Sequence, residues 1–208
     1  MMILVYVLLQ MQALLGDKKA NKFQSGKVEA IGKADIGGDW KLLNTKGQVV
    51  SSDDFKGKYY LIYFGFCNCP DICPNSLTKL KRALEIIRKL PDSRTFQLKS
   101  IFVSVDPDRD TPEKIEKFLG YFDKEMIGLT AASNNDPMLK DCLKKFKIYA
   151  TKINFEDESE HRGLQGYTID HTILTYLVDD ENNYLTHLGA NLGEHDLAKT
   201  IMEKIRER

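Results

Sequence analysis

Two cysteines four positions apart, Cys69 and Cys73, stand in CPDIC within the stretch YYLIYFGFCNCPDICPNSLTKLKRALEII, residues 59–87. At the first turn of a helix this spacing brings both side chains to one face. A helix start carries partial positive charge and free N–H groups, which stabilise thiolates and lower their pKa. Two such sulfurs are either a redox pair or two of the three ligands of a soft-metal site, selecting Cu(I), zinc or an iron–sulfur cluster over hard cations. A two-residue gap suits closure into a disulfide. The three-residue gap here opens the pair outward, and Pro70 and Pro74 bracket the loop and hold its shape.

A third ligand must then come from elsewhere in the chain. Of the four histidines, His161 falls in the acidic insertion EDESEHRG and reads as solvated. His187 ends a strand before Gly189 and His195 opens the last helix, both bland positions. His171 follows GYTID and precedes the strand TILTYLV, where it is either a ligand or a core imidazole. The other thiols have simpler readings. Cys67 is a small apolar residue at a strand end or an auxiliary sulfur, and Cys142 lies on the apolar helix face of Leu139, Leu143 and Phe146.

The elements that must position these groups follow from patterning. KYYLIYFGF and LKSIFVSVD are continuous apolar runs of strand length, as in central strands covered on both faces. Leu77, Leu80, Leu84, Ile87 and Leu90 recur at helical steps from Ser76 to Leu90, with Pro91 at the exit. Thr111 caps a helix over 112–122 with Pro112 at its first position. WKLLNTKGQVVSS and HTILTYLVDDENNYLTHLG read as hairpins, turning at Asn44–Gly47 and Asp180–Asn183. MIGLTA and KIYATKINF are strands, DPMLKDCLKKF is a helix, and 194–206 closes the chain as a helix. Strands alternating with helices, then a terminal hairpin and helix, describe an α/β domain with a mixed central sheet. A thioredoxin-like fold has that order and carries its working cysteines between a central strand and the next helix.

The 208 residues suffice for one domain, assigned to 39–208, behind a polar linker, 17–38. Residues 1–16, MMILVYVLLQMQALLG, form an N-terminal apolar helix. It reads as a membrane anchor, with a partner-bound or buried helix as the alternatives. About 15 helical residues reach roughly 23 Å, short of a hydrocarbon core of ~30 Å. By the positive-inside rule, Lys18, Lys19, Lys22 and Lys27 keep the domain on the matrix or cytosolic side. Equal numbers of basic and acidic residues, 30 each, point to no nucleic-acid partner. Four cysteines are too few for a disulfide scaffold.

With LIYFGFCNCPDICP, VSVDPDRDTP, IGLT and DHTILTYLVD in that order, the chain resembles the Sco family (Sco/SenC/PrrC) over roughly residues 31–204. The resemblance implies a copper chaperone of cytochrome c oxidase assembly. It implies copper, Cu(I) and Cu(II), held by Cys69, Cys73 and His171. It implies a domain tethered to the inner mitochondrial membrane and facing the intermembrane space, or tethered to the bacterial plasma membrane on its periplasmic face. The implied partners are oxidase subunit II, with its dinuclear copper centre, and other oxidase subunits or assembly factors. Asp106 matches a family aspartate near the site, its plain alternative being a turn former before Pro107. Asp170 is placed either to orient the imidazole through its other nitrogen or to cap a strand. Cys67–Asn68 departs from the family's usual residues before the first ligand cysteine.

Three functions compete on this reading. The first is a metallochaperone. The second is a thiol–disulfide reductase in which Cys69 and Cys73 are the reacting pair and His171 is dispensable. The third is a structural component of a respiratory complex. A peroxidase is disfavoured, since no threonine–cysteine–arginine arrangement surrounds the loop.

Overall fold

The computed structural model describes residues 35–155 and 166–208. The apolar segment 1–16, most of the 17–38 linker and His161 in the acidic insertion lie outside the described residues. Among the described residues, no helix is long and apolar enough to cross a membrane.

The first hairpin pairs β1 (Lys41–Asn44) with β2 (Val49–Ser51). Asn44 Oδ1 accepts from the Lys46 and Gln48 N–H groups at 2.9 Å each, and Gly47 supplies the positive φ of 75° that the turn needs. Two apolar runs form parallel β3 (Tyr59–Gly65) and β4 (Leu98–Ser104), and β4 continues in parallel to β5 (Ile127–Thr130). β8 (Leu174–Val178) and β9 (Tyr184–Gly189) are the antiparallel hairpin on the other side of β3. The seven-stranded order is β2-β1-β5-β4-β3-β8-β9, a mixed central sheet with β3 and β4 buried at its centre.

Helices cover both faces of that sheet. α1 (Ile72–Arg88) buries Cys73, Leu77, Leu80, Ala83, Leu84 and Ile87 along one stripe. It packs against α4 (Glu194–Arg206), which buries Leu197, Ala198, Ile201, Met202 and Ile205. α2 (Pro112–Gly120) begins as its sequence predicts, the Thr111 hydroxyl accepting from Lys114 N–H. α3 (Pro137–Lys145) lies against the opposite face, where Phe146 meets Phe64 and Tyr176.

Three local expectations change. α1 starts four residues before Ser76, because Pro74 falls in the first turn, where its missing N–H costs nothing. Gly37, assigned to the linker, donates its N–H to Lys145 O at 2.9 Å and bridges to Asn183, so residues 36–38 belong with the domain. The third change matters most for function. Residues Tyr167–His171 are a strand, β7, paired with β6 (Ala150–Asn154) as a two-stranded ribbon separate from the main sheet. Its apolar signal is a single buried residue, Ile169, and its partner lies across the acidic insertion.

Candidate metal centre

The chain leaves β3 at Gly65 and reaches the start of α1 within a short loop, in which Cys69 N–H bonds back to Phe66 O at 3.3 Å. Cys73, the second residue of α1, is fully buried, whereas Cys69 is half-buried. The N-cap residue of the helix, Asp71, makes no side-chain capping hydrogen bond. The sulfur of Cys69 takes that place and accepts the Cys73 N–H at 3.3 Å. An electron-rich sulfur thus sits where the helix start is most positive.

Close approach of Cys73 to the sheet requires a residue without a side chain at position 65. A Cβ on Gly65 would lie 3.0 Å from Cys73 Sγ, 2.9 Å from the Tyr63 ring and 3.1 Å from the Phe102 ring.

His171 is brought in from the ribbon. Its Nε2 stands 3.4 Å from Cys73 Sγ, and its Nδ1 stands 3.0 Å from the Thr172 carbonyl oxygen. A carbonyl can only accept, so Nδ1 carries a proton, and Nε2 is the ring nitrogen turned toward the sulfurs. The ring is 7 % exposed and is wedged edge-on between Phe66 and Tyr63, with centroids 5.7 and 6.5 Å away. A cleft of about 250 Å³ opens over Cys69 and His171, with Pro70, Ile72 and Ile173 on its apolar walls.

The two thiols are made unlike by their surroundings. A hydrogen bond from Cys73 holds Cys69 well below the ordinary thiol range, at about 4, and His171 and the N–H groups of Cys73 and Asp71 add to this against partial burial. Cys73 is pushed up by that same shared bond and by burial. The pair therefore holds one proton, on Cys73. Among the described residues, no three His, Cys, Asp or Glu side chains already stand spaced around an ion. The two sulfurs and Nε2 are gathered by hydrogen bonds instead, and half-buried Cys69 is the member placed to turn.

The remaining candidates sort by contact. Asp106 is wholly buried and accepts from Arg109 Nε at 2.5 Å, Tyr167 Oη at 2.6 Å and Asn134 Nδ2 at 3.2 Å. It acts on the ribbon rather than on the sulfurs. Arg109 also donates to Tyr167 O at 2.6 Å and stacks its guanidinium 3.5 Å over the Tyr167 ring, pinning the strand that ends in His171. Lys152 on β6 adds a bond to Asp108 at 3.2 Å. Asp170 points outward and is exposed, as alternation along a strand requires of the neighbour of a buried His171. Thr172, not Asp170, holds Nδ1.

Cys67 donates its N–H to Asp110 Oδ2 at 2.9 Å, and its thiol is pushed up by burial and by that carboxylate. It stays a protonated, half-buried thiol packed on the core. Cys142 is fully buried in α3 and raised by burial alone in the main, as a structural thiol should be. His187 and His195 are exposed. Sequence reasoning missed Gly65, Arg109, Asp110 and Tyr167. The run DPDRD carried the signal for Arg109 and Asp110, since two acids around one arginine in an apolar context imply a buried ion pair.

Comparison with known proteins decides what these parts belong to. The SCO1/SenC family model matches residues 28–206. The chain belongs to the SCO1/SenC family. It is 36% identical over 186 residues to Protein sco1 of Schizosaccharomyces pombe, covering 88% of this chain and 66% of that protein. It is 31% identical over 192 residues to the mitochondrial SCO1 homologue of Homo sapiens, covering 91% of this chain and 59% of that one. The chain thus spans roughly two thirds or less of these two relatives. Its fold superposes on the crystal structure of Arabidopsis thaliana ScoI with copper bound at a TM-score of 0.73, with 31% identity over 83% of this chain and 99% of that one. The α/β fold with a mixed sheet is therefore the Sco, thioredoxin-like structure.

Two outcomes follow from the geometry. Iodoacetamide should label Cys69 first, at a rate that stays level as pH falls from about 8 to 6. A thiol with the ordinary pKa of about 8.5 would slow roughly a hundredfold over that range, and such slowing at Cys69 would contradict the shared-proton pair. Arg109→Ala should cost about 3 kcal/mol or more in urea unfolding, because it strips the cation from a buried carboxylate. It should also speed amide exchange across residues 167–171; unchanged exchange there would remove the arginine from the account of the ribbon.

Proposed function

We propose that this chain takes up copper through Cys69, Cys73 and His171 and delivers it to the dinuclear copper centre of cytochrome c oxidase subunit II during assembly. The observation that carries the reading is the convergence of the imidazole Nε2 of His171 on Cys73, 3.4 Å from its sulfur, at the end of a separate two-stranded ribbon. A hydrogen-bonded histidine is not needed for disulfide exchange, but two sulfurs and one imidazole suit a soft monovalent ion. The copper-bound state of Arabidopsis ScoI supports the same cargo.

Copper is here a substrate, and what the protein contributes is the order of events. Cys69 is ionised and lines the cleft, so it is the first sulfur an incoming ion meets. Rotation of Cys69 lets the ion reach Cys73, which then gives up its proton, and Nε2 closes the third side. Release runs in reverse by ligand exchange to a partner's thiols across the cleft, whose apolar walls at Ile72 and Ile173 offer docking area. Oxidase subunits and assembly factors are the partners. The setting is the intermembrane-space face of the inner mitochondrial membrane, or the periplasmic face in a bacterium, with residues 1–16 as the anchor, an orientation opposite to the one that Lys18, Lys19, Lys22 and Lys27 favour. The mitochondrial naming of the human relative supports the first.

A second reading has one observation in its favour. Cys69 and Cys73 are the unlike, hydrogen-bonded thiols of an exchanging dithiol. In that role Cys69 attacks a disulfide of the target centre, Cys73 resolves the mixed disulfide, and two electrons and the pair's proton pass to the target's thiols.

Copper analysis separates the two readings. Purified protein should hold one copper per chain, and Cys69→Ala, Cys73→Ala and His171→Ala should each weaken binding beyond the ~10–100-fold typical of an outer partner. Uptake should release one proton per ion near neutral pH, so affinity should rise with pH. Unchanged copper binding in His171→Ala, with disulfide reduction intact, would favour the reductase.

A further inference from the structure

Tyr63, in the middle of β3, has a hydroxyl that the fold leaves without a partner. The residue is 2 % exposed, and its oxygen is buried with no hydrogen bond. Leaving such a group unsatisfied destabilises the fold, and phenylalanine would fill the same space without that cost. The same strand shows that the fold can satisfy a buried tyrosine. On the opposite face, Tyr60 accepts from Trp40 Nε1 at 3.3 Å and donates to Asn182 Oδ1 at 2.5 Å. The orphan hydroxyl of Tyr63 therefore calls for a reason of its own.

Its position supplies one. The Tyr63 ring edge and Cys73 Sγ flank Gly65 from two sides, each about as close as the missing Cβ would allow, at 2.9 and 3.0 Å from that point. The polar groups that act on the hydroxyl are the Cys73 sulfur and Ser76. The ring also meets the edge of His171, so two of the three proposed ligands border it. A neutral thiol sulfur is a weak acceptor, but a sulfur coordinated to a metal ion is a thiolate and accepts strongly.

We propose that the Tyr63 hydroxyl is held in reserve as a hydrogen-bond donor to the Cys73 sulfur in its metal-bound form, tuning how tightly that sulfur holds copper. The inference rests on the three-ligand reading above. It makes Tyr63 a positioning residue that touches a ligand and not the ion. Without cargo the hydroxyl is a local cost; with cargo it stabilises the charged sulfur.

The test is a pair of variants, Tyr63→Phe and Tyr60→Phe, titrated anaerobically with Cu(I) against a chromogenic Cu(I) chelator and melted without metal. Tyr63→Phe should melt at the same or a higher temperature than the parent. Its Cu(I) affinity should fall about tenfold or more, the usual worth of a hydrogen bond to a charged group. The sulfur-to-copper charge-transfer band of its Cu(II) form should move to longer wavelength, because the sulfur gives up electrons more readily. Tyr60→Phe should show the converse, with lower stability and unchanged affinity. Parental affinity and an unshifted band in Tyr63→Phe, with parental binding still dependent on His171, would overturn this proposal alone. A parent that binds no Cu(I) would overturn the three-ligand reading and this inference with it.

Discussion

The contact between Cys73 Sγ and His171 Nε2 joins two parts of the chain 98 positions apart, which the pairing of β3 with β8 brings to the same end of the main sheet. One partner sits on the first turn of a helix fed by a central strand. The other ends a ribbon that shares no ladder with that sheet. Nearly every unusual feature near the site serves this contact. Gly65 lets the sulfur approach the sheet, Thr172 fixes the imidazole tautomer, and Phe66 and Tyr63 hold the ring by its edges.

Charge is distributed so that the contact forms without locking. Two buried carboxylates lie in one loop and do different work. Asp106 is neutralised by Arg109 and holds Tyr167, which sets where the ribbon stands. Asp110 accepts from Cys67 N–H and Ser104 Oγ, which sets the shape of the loop carrying the cysteines. Burial of the Cys67 thiol, and the nearness of Asp110 to it, keep that third thiol protonated. The extra cysteine thus adds packing at the strand end rather than a third charged sulfur.

Much of this was legible in residue order. Long, continuous apolar runs declared β3 and β4, and a strong three-and-four periodicity declared α1 and α4. Thr111–Pro112 and Asn44–Gly47 carried cap and turn chemistry that the structure repeats. The sulfur pair was visible because its spacing has meaning within one helical turn. The ribbon was not, since β7 offers one buried apolar residue in five and pairs across an insertion. For the same reason Asp170 looked closer to the ring than it is: only strand geometry turns it away from its neighbour. Arg109 and Tyr167 are 58 positions apart, and no local pattern announces a bond of that range. Gly65 reads as an ordinary glycine until Cys73 is placed above it.

Both sulfurs and the ribbon's imidazole must reach one ion. X-ray absorption at the copper edge on the Cu(I)-loaded chain reads that directly. The expected result is a three-coordinate ion with two sulfur scatterers and one nitrogen, plus the outer-shell pattern of an imidazole ring. A sulfur-only shell, or loss of nothing but sulfur scattering across the ligand variants, would leave His171 outside the centre and contradict the account.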